Sequence, residues 1–249
     1  MQLCIYLLNS NQSISVTAAG FNGADSFTGG QGTDSVTYAD AYSVSNMSFV
    51  GSGSAQTLRV STSADGTDTL KDVEVLEFAS GVTVRVVGAG GYATIADAVS
   101  AADSGDTLLL AAAAPVSIAT ANTIASKSLA ISNATLTEIS DTATNISNAN
   151  FASSALNGYT TITNTTSGTA ATLTAAELGN RAVTLSGDGT FQVTGSLSEL
   201  LALDSAVYSN TDTLVLSDTA QNITGLTTTQ IANLISRGID EVSINLAFL

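Results

Sequence analysis

Two glycine-rich nonapeptides hold the residues best suited to chemistry. Residues 20–28 read Gly20-Phe-Asn-Gly23-Ala-Asp25-Ser-Phe27-Thr28, and residues 29–37 read Gly29-Gly30-Gln-Gly32-Thr-Asp34-Ser-Val36-Thr37. Both fit G-x-x-G-x-D-x-U-x, with U a large apolar residue; the second fits the fuller G-G-x-G-x-D-x-U-x. Gly23, Gly30 and Gly32 permit a tight turn with positive φ. The carbonyls of such a turn, with the carboxylates of Asp25 and Asp34, are the oxygen ligands that calcium prefers. The alternative is a pair of Asp/Gly turns that bind no metal. A further turn, Asp65-Gly66-Thr67-Asp68, offers Asp65 and Asp68 either as calcium ligands or, more simply, as turn residues.

These residues need short strands to hold them. The x-U-x end of each nonapeptide reads as a strand with Phe27 or Val36 pointing inward. Val73, Val75, Leu76 and Phe78 suit a strand with one buried face and a bulge. Residues 41–60 alternate weakly and read as strands. The Gly-rich stretch 86–91 lacks the G-x-G-x-x-G spacing of a dinucleotide site and reads as a hinge or turn. Beyond it, Ile95, Ala98, Val99 and Ala102 lie on one helical face. Thr94 caps that helix, Gly105 ends it, and Thr107–Leu110 starts a strand. From 116 to about 195, strands are expected at 128–132, 144–147, 159–163, 182–186 and 190–194. Ile131, Ile146 and Ile162 recur at solenoid-like spacing, each with an Asn (Asn133, Asn148, Asn164) two residues later, as a stacked turn ladder requires. Residues 196–203 read as a capped helix, 227–235 as an amphipathic helix ended by Arg237-Gly238, and 212–217 and 241–246 as strands.

The nonapeptides resemble the RTX, hemolysin-type calcium-binding repeat, which forms a parallel β-roll. The run from Asp65 to Gly81 is similar to the turn–strand–turn element that often follows such repeats. Residues 92–110 resemble the N-terminal cap of pectate-lyase-like parallel β-helix proteins. The unit from 212 to 246 is similar to repeats of large secreted bacterial surface proteins. The apolar ending Asn245–Leu249 is either a final buried strand or an uncleaved type I secretion signal of the kind RTX proteins carry. The resemblances imply a mainly β chain: a parallel β-roll/β-helix (solenoid) with a few short α-helices. They divide it into an RTX-like region, 1–90, and a β-helix-like region, 91–249.

Composition narrows the function classes. The 249 residues contain no His and one Cys, so imidazole catalysis, His-ligated zinc and an intrachain disulfide are excluded. Six basic residues against 21 acidic ones exclude a nucleic-acid-binding stripe. The net charge of −15 favours cations over anionic partners. No apolar run reaches the roughly 18 residues of a membrane span. The apolar start, residues 1–8, has no preceding Lys or Arg and reads as a buried first strand rather than a signal peptide. The repeats begin almost at once, which suggests a piece of a longer protein. Asp97, Asp103, Asp106, Lys127, Glu138, Asp141, Glu177, Arg181 and Asp188 are the residues an enzyme could use, but no motif brings two of them together. The expectation is therefore no enzyme. It is an extracellular structural or adhesive protein of a bacterial cell surface, S-layer-like, calcium-stabilised and self-assembling, with a cell-surface glycan as a further partner. A phage tail fibre or spike, and then a polysaccharide-active β-helix, are the alternatives.

Overall fold

A computed structural model describes residues 4–6, 11, 13–16, 23–63, 66–179, 181–203 and 212–245. The chain is mainly β, with several parallel sheets and short helices. Its contacts divide it into two compact units, Met1–Ala114 with Thr123–Thr135, and Pro115–Asn122 with Leu136–Leu249.

In the first unit the strands are β1 (Cys4–Tyr6), β2 (Ser13–Val16), β3 (Ser26–Thr28), β4 (Ser35–Tyr38), β5 (Met47–Val50), β6 (Thr57–Thr62), β7 (Gly66–Lys71), β8 (Val75–Phe78) and β9 (Thr83–Val87). Then come α1 (Ile95–Ala101), β10 (Thr107–Leu110), α2 (Ile118–Ser126), within which the division falls, and β11 (Ala130–Ser132). β1, β3 and β7 pair in parallel in one sheet, and β2, β4 and β8 in parallel in another. Strands β1 to β4 thus alternate between two sheets. Each nonapeptide supplies one strand, and its large residue, Phe27 or Val36, is fully buried. Phe27, Leu58 and Leu70 join Val36, Leu76, Val84 and Leu109 in one apolar cluster, where each buried side chain contributes about 1.5–3 kcal/mol. Tyr38 stacks on Phe78 with ring centroids 5.4 Å apart.

Residues 41–60 do contain strands, but β5 and β6 are antiparallel and extend the sheet from β7. The stretch 86–91 is a turn within this unit, with Gly88, Ala89 and Gly90 at positive φ. α1 forms where the spacing predicts it. Thr94 accepts a hydrogen bond from the Asp97 N–H, and Ile95, Ala98 and Val99 are buried. β1 lies within residues 1–8 and pairs with β3, although Cys4 is exposed.

The second unit runs β12 (Glu138–Asp141), α3 (Ala143–Ser147), β13 (Thr161–Asn164), β14 (Ala171–Thr174), α4 (Ala175–Leu178), β15 (Thr184–Gly187), β16 (Phe191–Gly195), α5 (Leu197–Ala202), β17 (Thr213–Thr219), α6 (Ala220–Thr224), α7 (Thr228–Ser236) and β18 (Glu241–Asn245). β12, β13 and β15 form one parallel sheet; β14, β16, β17 and β18 form a second. Capping boxes at Thr174/Glu177, Ser196/Glu199 and Thr227/Gln230 start α4, α5 and α7.

Two expectations fail in this stretch. Residues 144–147 are helical, because Thr142 caps the Asn145 N–H and turns the chain into α3. The Ile/Asn ladder at 15 to 16 residues is also absent. Ile131 and Ile162 lie in strands and Ile146 in a helix. The strand register instead steps by 23 residues, from Glu138 to Thr161 to Thr184, because each step includes more than one element. Asn133 donates to the Leu110 carbonyl, Asn148 ends α3, and Asn164 is buried with its amide donating to the Thr169 and Thr190 carbonyls. Among the described residues no helix is long and apolar enough to cross a membrane. The apolar tail beyond Asn245 lies outside the described residues.

Candidate metal centre

Asp25 and Asp34 each sit immediately before or at the start of a nonapeptide strand, and both are buried. Gly23 and Gly32 adopt positive φ, at 135° and 121°, as the turn requires. Gly30 does not. It donates its N–H to Asp34 Oδ2 at 2.9 Å. Gly29 is wedged beside it: a Cβ there would collide with the Asp72 carbonyl and crowd Asp34 Oδ2.

The acids are brought together in pairs, across neighbouring strands of a sheet. Asp25 donates its N–H to Asp68 Oδ1 at 3.1 Å, and its carbonyl accepts from the Thr69 N–H. Asp34 donates its N–H to Glu74 Oε2 at 2.7 Å, and its carbonyl accepts from the Glu74 and Val75 N–H groups. Asp68 is fully buried within β7, and Gly66 packs against the Gly23 carbonyl. Asp65 lies outside the described residues. Asp25–Asp68 belongs to one sheet and Asp34–Glu74 to the other, so the two nonapeptide acids serve separate pairs.

Glu74 is the partner that sequence reasoning missed. Its signal was partial: it is one of two acids, with Glu77, in the apolar run Val73–Phe78. Burial pushes its carboxyl up to about 7. The Asp34 N–H pulls the other way, and the Asp34 charge raises it further.

Carboxylate and main-chain oxygens are the donor chemistry a hard divalent cation takes. Among the described residues no three His, Cys, Asp or Glu side chains form a group able to hold a metal. A calcium ion at either pair would therefore take two carboxylates and fill its shell with main-chain carbonyls and water.

Of the residues an enzyme could use, Lys127 and Arg181 hold backbone carbonyls, and other charged side chains make structural contacts. Lys127 Nζ donates to the carbonyls of Val99, Ser100 and Ala102 at the end of α1. The Arg181 guanidinium donates to the carbonyls of Phe151, Asn157, Glu177 and Leu178. Arg237 donates to the Leu203 carbonyl at the end of α5. Arg85 pairs with Asp106, which also accepts the Asp103 N–H. Asp97 belongs to the α1 cap, and Glu138 accepts from the Thr163 hydroxyl.

No family profile, curated protein or solved structure matches this chain.

Proposed function

We propose that the chain is a calcium-stabilised structural protein of an extracellular surface. Its first unit is read as a β-roll and its second as β-helix-like coils. The observation that carries the reading is the pair of buried acid couples, Asp25–Asp68 and Asp34–Glu74, each linking neighbouring strands. The Asp34 charge raises the Glu74 carboxyl, so ionising both opposes folding, and a divalent cation shared by such a couple would turn that cost into a cross-link. The commitment of Lys127, Arg181, Arg237 and Arg85 to backbone carbonyls and to Asp106 supports a scaffold rather than a catalyst. The RTX-like nonapeptides support export by a type I route and a bacterial surface location.

Thermal melting in calcium, in magnesium and in chelator tests this. At calcium near a hundred times Kd the stabilisation is about 3 kcal/mol, or roughly 5–10 °C in Tm for a protein of this size. Asp25→Asn and Asp34→Asn should each remove much of that gain. Identical melts with calcium and chelator would overturn the reading.

A further inference from the structure

Nine residues recur in the second unit: Ile139-Ser-Asp141-Thr142-Ala-Thr-Asn145-Ile-Ser147 and Leu216-Ser-Asp218-Thr219-Ala-Gln-Asn222-Ile-Thr224. The structure builds both the same way. The Thr caps a helix, α3 or α6. One carboxylate oxygen, Oδ1, accepts the Thr N–H and the Asn Nδ2, at 2.8 and 2.6 Å for Asp141 and 2.8 and 2.7 Å for Asp218. The other, Oδ2, accepts the first N–H of an earlier helix, Ile118 of α2 at 3.0 Å or Leu197 of α5 at 3.2 Å. Each carboxylate thus accepts from three N–H donors, at least one on each oxygen. The Asn222 amide, with the Thr219 and Leu197 N–H groups, holds the Asp218 carboxyl below its usual range.

Beside each repeat lies an open groove of about 490 Å³. The first is ringed by Asn122, Asn145, Asn148 and Asn150 over Ile118 and Leu156. The second is ringed by Gln221, Asn222 and Gln230 beside Leu197. In both, the repeat's Asp is the charged residue of the lining, and its oxygens are already engaged. Asn145 and Asn222 donate Nδ2 to that Asp, which leaves Oδ1 as an acceptor, and Gln230 Oε1 accepts from the Thr227 N–H and hydroxyl in the α7 cap, which leaves Nε2 as a donor. The Asn122 and Asn148 carboxamides make no side-chain hydrogen bond to the described residues.

We propose that both grooves bind short uncharged saccharides through these carboxamides. The carboxamides of Asn122, Asn148 and Gln221 each present a donor and an acceptor side by side, which matches a pair of neighbouring hydroxyls, each both donor and acceptor; Asn145 and Asn222 add an acceptor and Gln230 a donor. Ile118 and Leu156 in the first groove and Leu197 in the second suit the C–H face of a sugar ring, and the volume suits a ligand of one to two rings. No cation lines either groove, and the chain's charge of −15 repels anionic sugars. Two grooves on one unit would add avidity toward a repeating glycan. Neither groove contains a candidate calcium residue, so this inference stands apart from the calcium reading.

The test is calorimetric titration of the full chain, in chelator, with maltotriose, chitotriose, trigalacturonate and an uncharged tetrapeptide. At least one neutral trisaccharide should bind saturably; trigalacturonate and the peptide should not. The combined variant Asn122→Ala, Asn148→Ala, Gln221→Ala changes exposed side chains, so it should keep the wild-type Tm while weakening the affinity about tenfold or more. Single Asn148→Ala gives a second reading of the first groove if the triple variant melts early. No saturable binding of either neutral trisaccharide, undiminished binding by the folded variants, or equal binding of the peptide or the acidic sugar would each overturn the proposal.

Discussion

At Glu74, burial and charge oppose each other, and the consequence is a pH dependence of known sign. The carboxyl titrates at about 7 in the folded chain against 4.5 for the free group. The native state therefore keeps a proton that the unfolded state has lost across that window. Stability from this group is full below about 4.5 and falls as pH rises to 7, by an amount on the order of 3 kcal/mol. Glu74→Gln keeps an acceptor for the Asp34 N–H and removes the titration. In chelator, urea unfolding should find the variant more stable than wild type above pH 7 and level with it near pH 4.5. Parallel pH profiles for the two proteins would refute this, since the other carboxylates act on both alike. Gly29 shows the same crowding in steric form. Gly29→Ala must displace the Asp72 carbonyl, at a cost on the order of 2–4 kcal/mol. At Gly53, φ is +56° and nothing lies within 4 Å of an added Cβ, so Gly53→Ala should cost only the backbone strain, about 1 kcal/mol. Urea midpoints separate the two cases.

Helices here are short, and their ends are where side chains can stabilise them. Lys127 gathers three carbonyls at the end of α1, where the helix dipole also favours a cation. Lys127→Ala should cost about 1–2 kcal/mol by chemical unfolding, whereas Arg59→Ala, at an exposed position, should stay within about 0.5 kcal/mol. Equal effects would show that the Lys127 contacts add nothing beyond surface charge. What the sequence revealed about these elements follows the range of the interactions that specify them. The α1 cap and the boxes at Ser196 and Thr227 act over three residues, and all three helices form as expected. The inward Phe27 and Val36 were legible because alternation is equally local. α3 was misread because Thr144–Ser147 has strand-like composition, while the cap that makes it helical is Thr142, outside that window. The Asp34–Glu74 couple joins residues 40 apart, and no local pattern specifies such a partner. The 23-residue register was masked for the same reason, since helices and turns separate the strands that pair.

At the scale of the molecule, what remains unburied points to another copy. Of the six exposed large apolar side chains among the described residues, four, Ile231, Ile235, Val242 and Ile244, fall in α7 and β18; the other two are Val44 and Val50. β18 pairs with β17 on one side and, among the described residues, with no strand on the other. Its five residues are all exposed, in contrast to the alternating burial of β16 in the same sheet. Such an edge is a template for further pairing. The strand Glu-Val-Ser-Ile-Asn is nearly self-complementary. Laid antiparallel on a second copy about Ser243, it sets Val242 opposite Ile244 and Glu241 opposite Asn245. Apolar side chains then face each other and no like charges meet, even in a chain of net charge −15. Such a two-fold contact would be closed and would yield dimers; filaments or sheets would need a second, different surface. Light scattering during size-exclusion chromatography should find a dimer whose population grows with concentration. Val242→Lys with Ile244→Lys should leave the β17 pairing intact and give monomers at every concentration, because four lysines would then face one another across the strand pair. A wild-type chain that stays monomeric throughout would remove this edge from the account of assembly, and a variant that still dimerises would place the contact elsewhere.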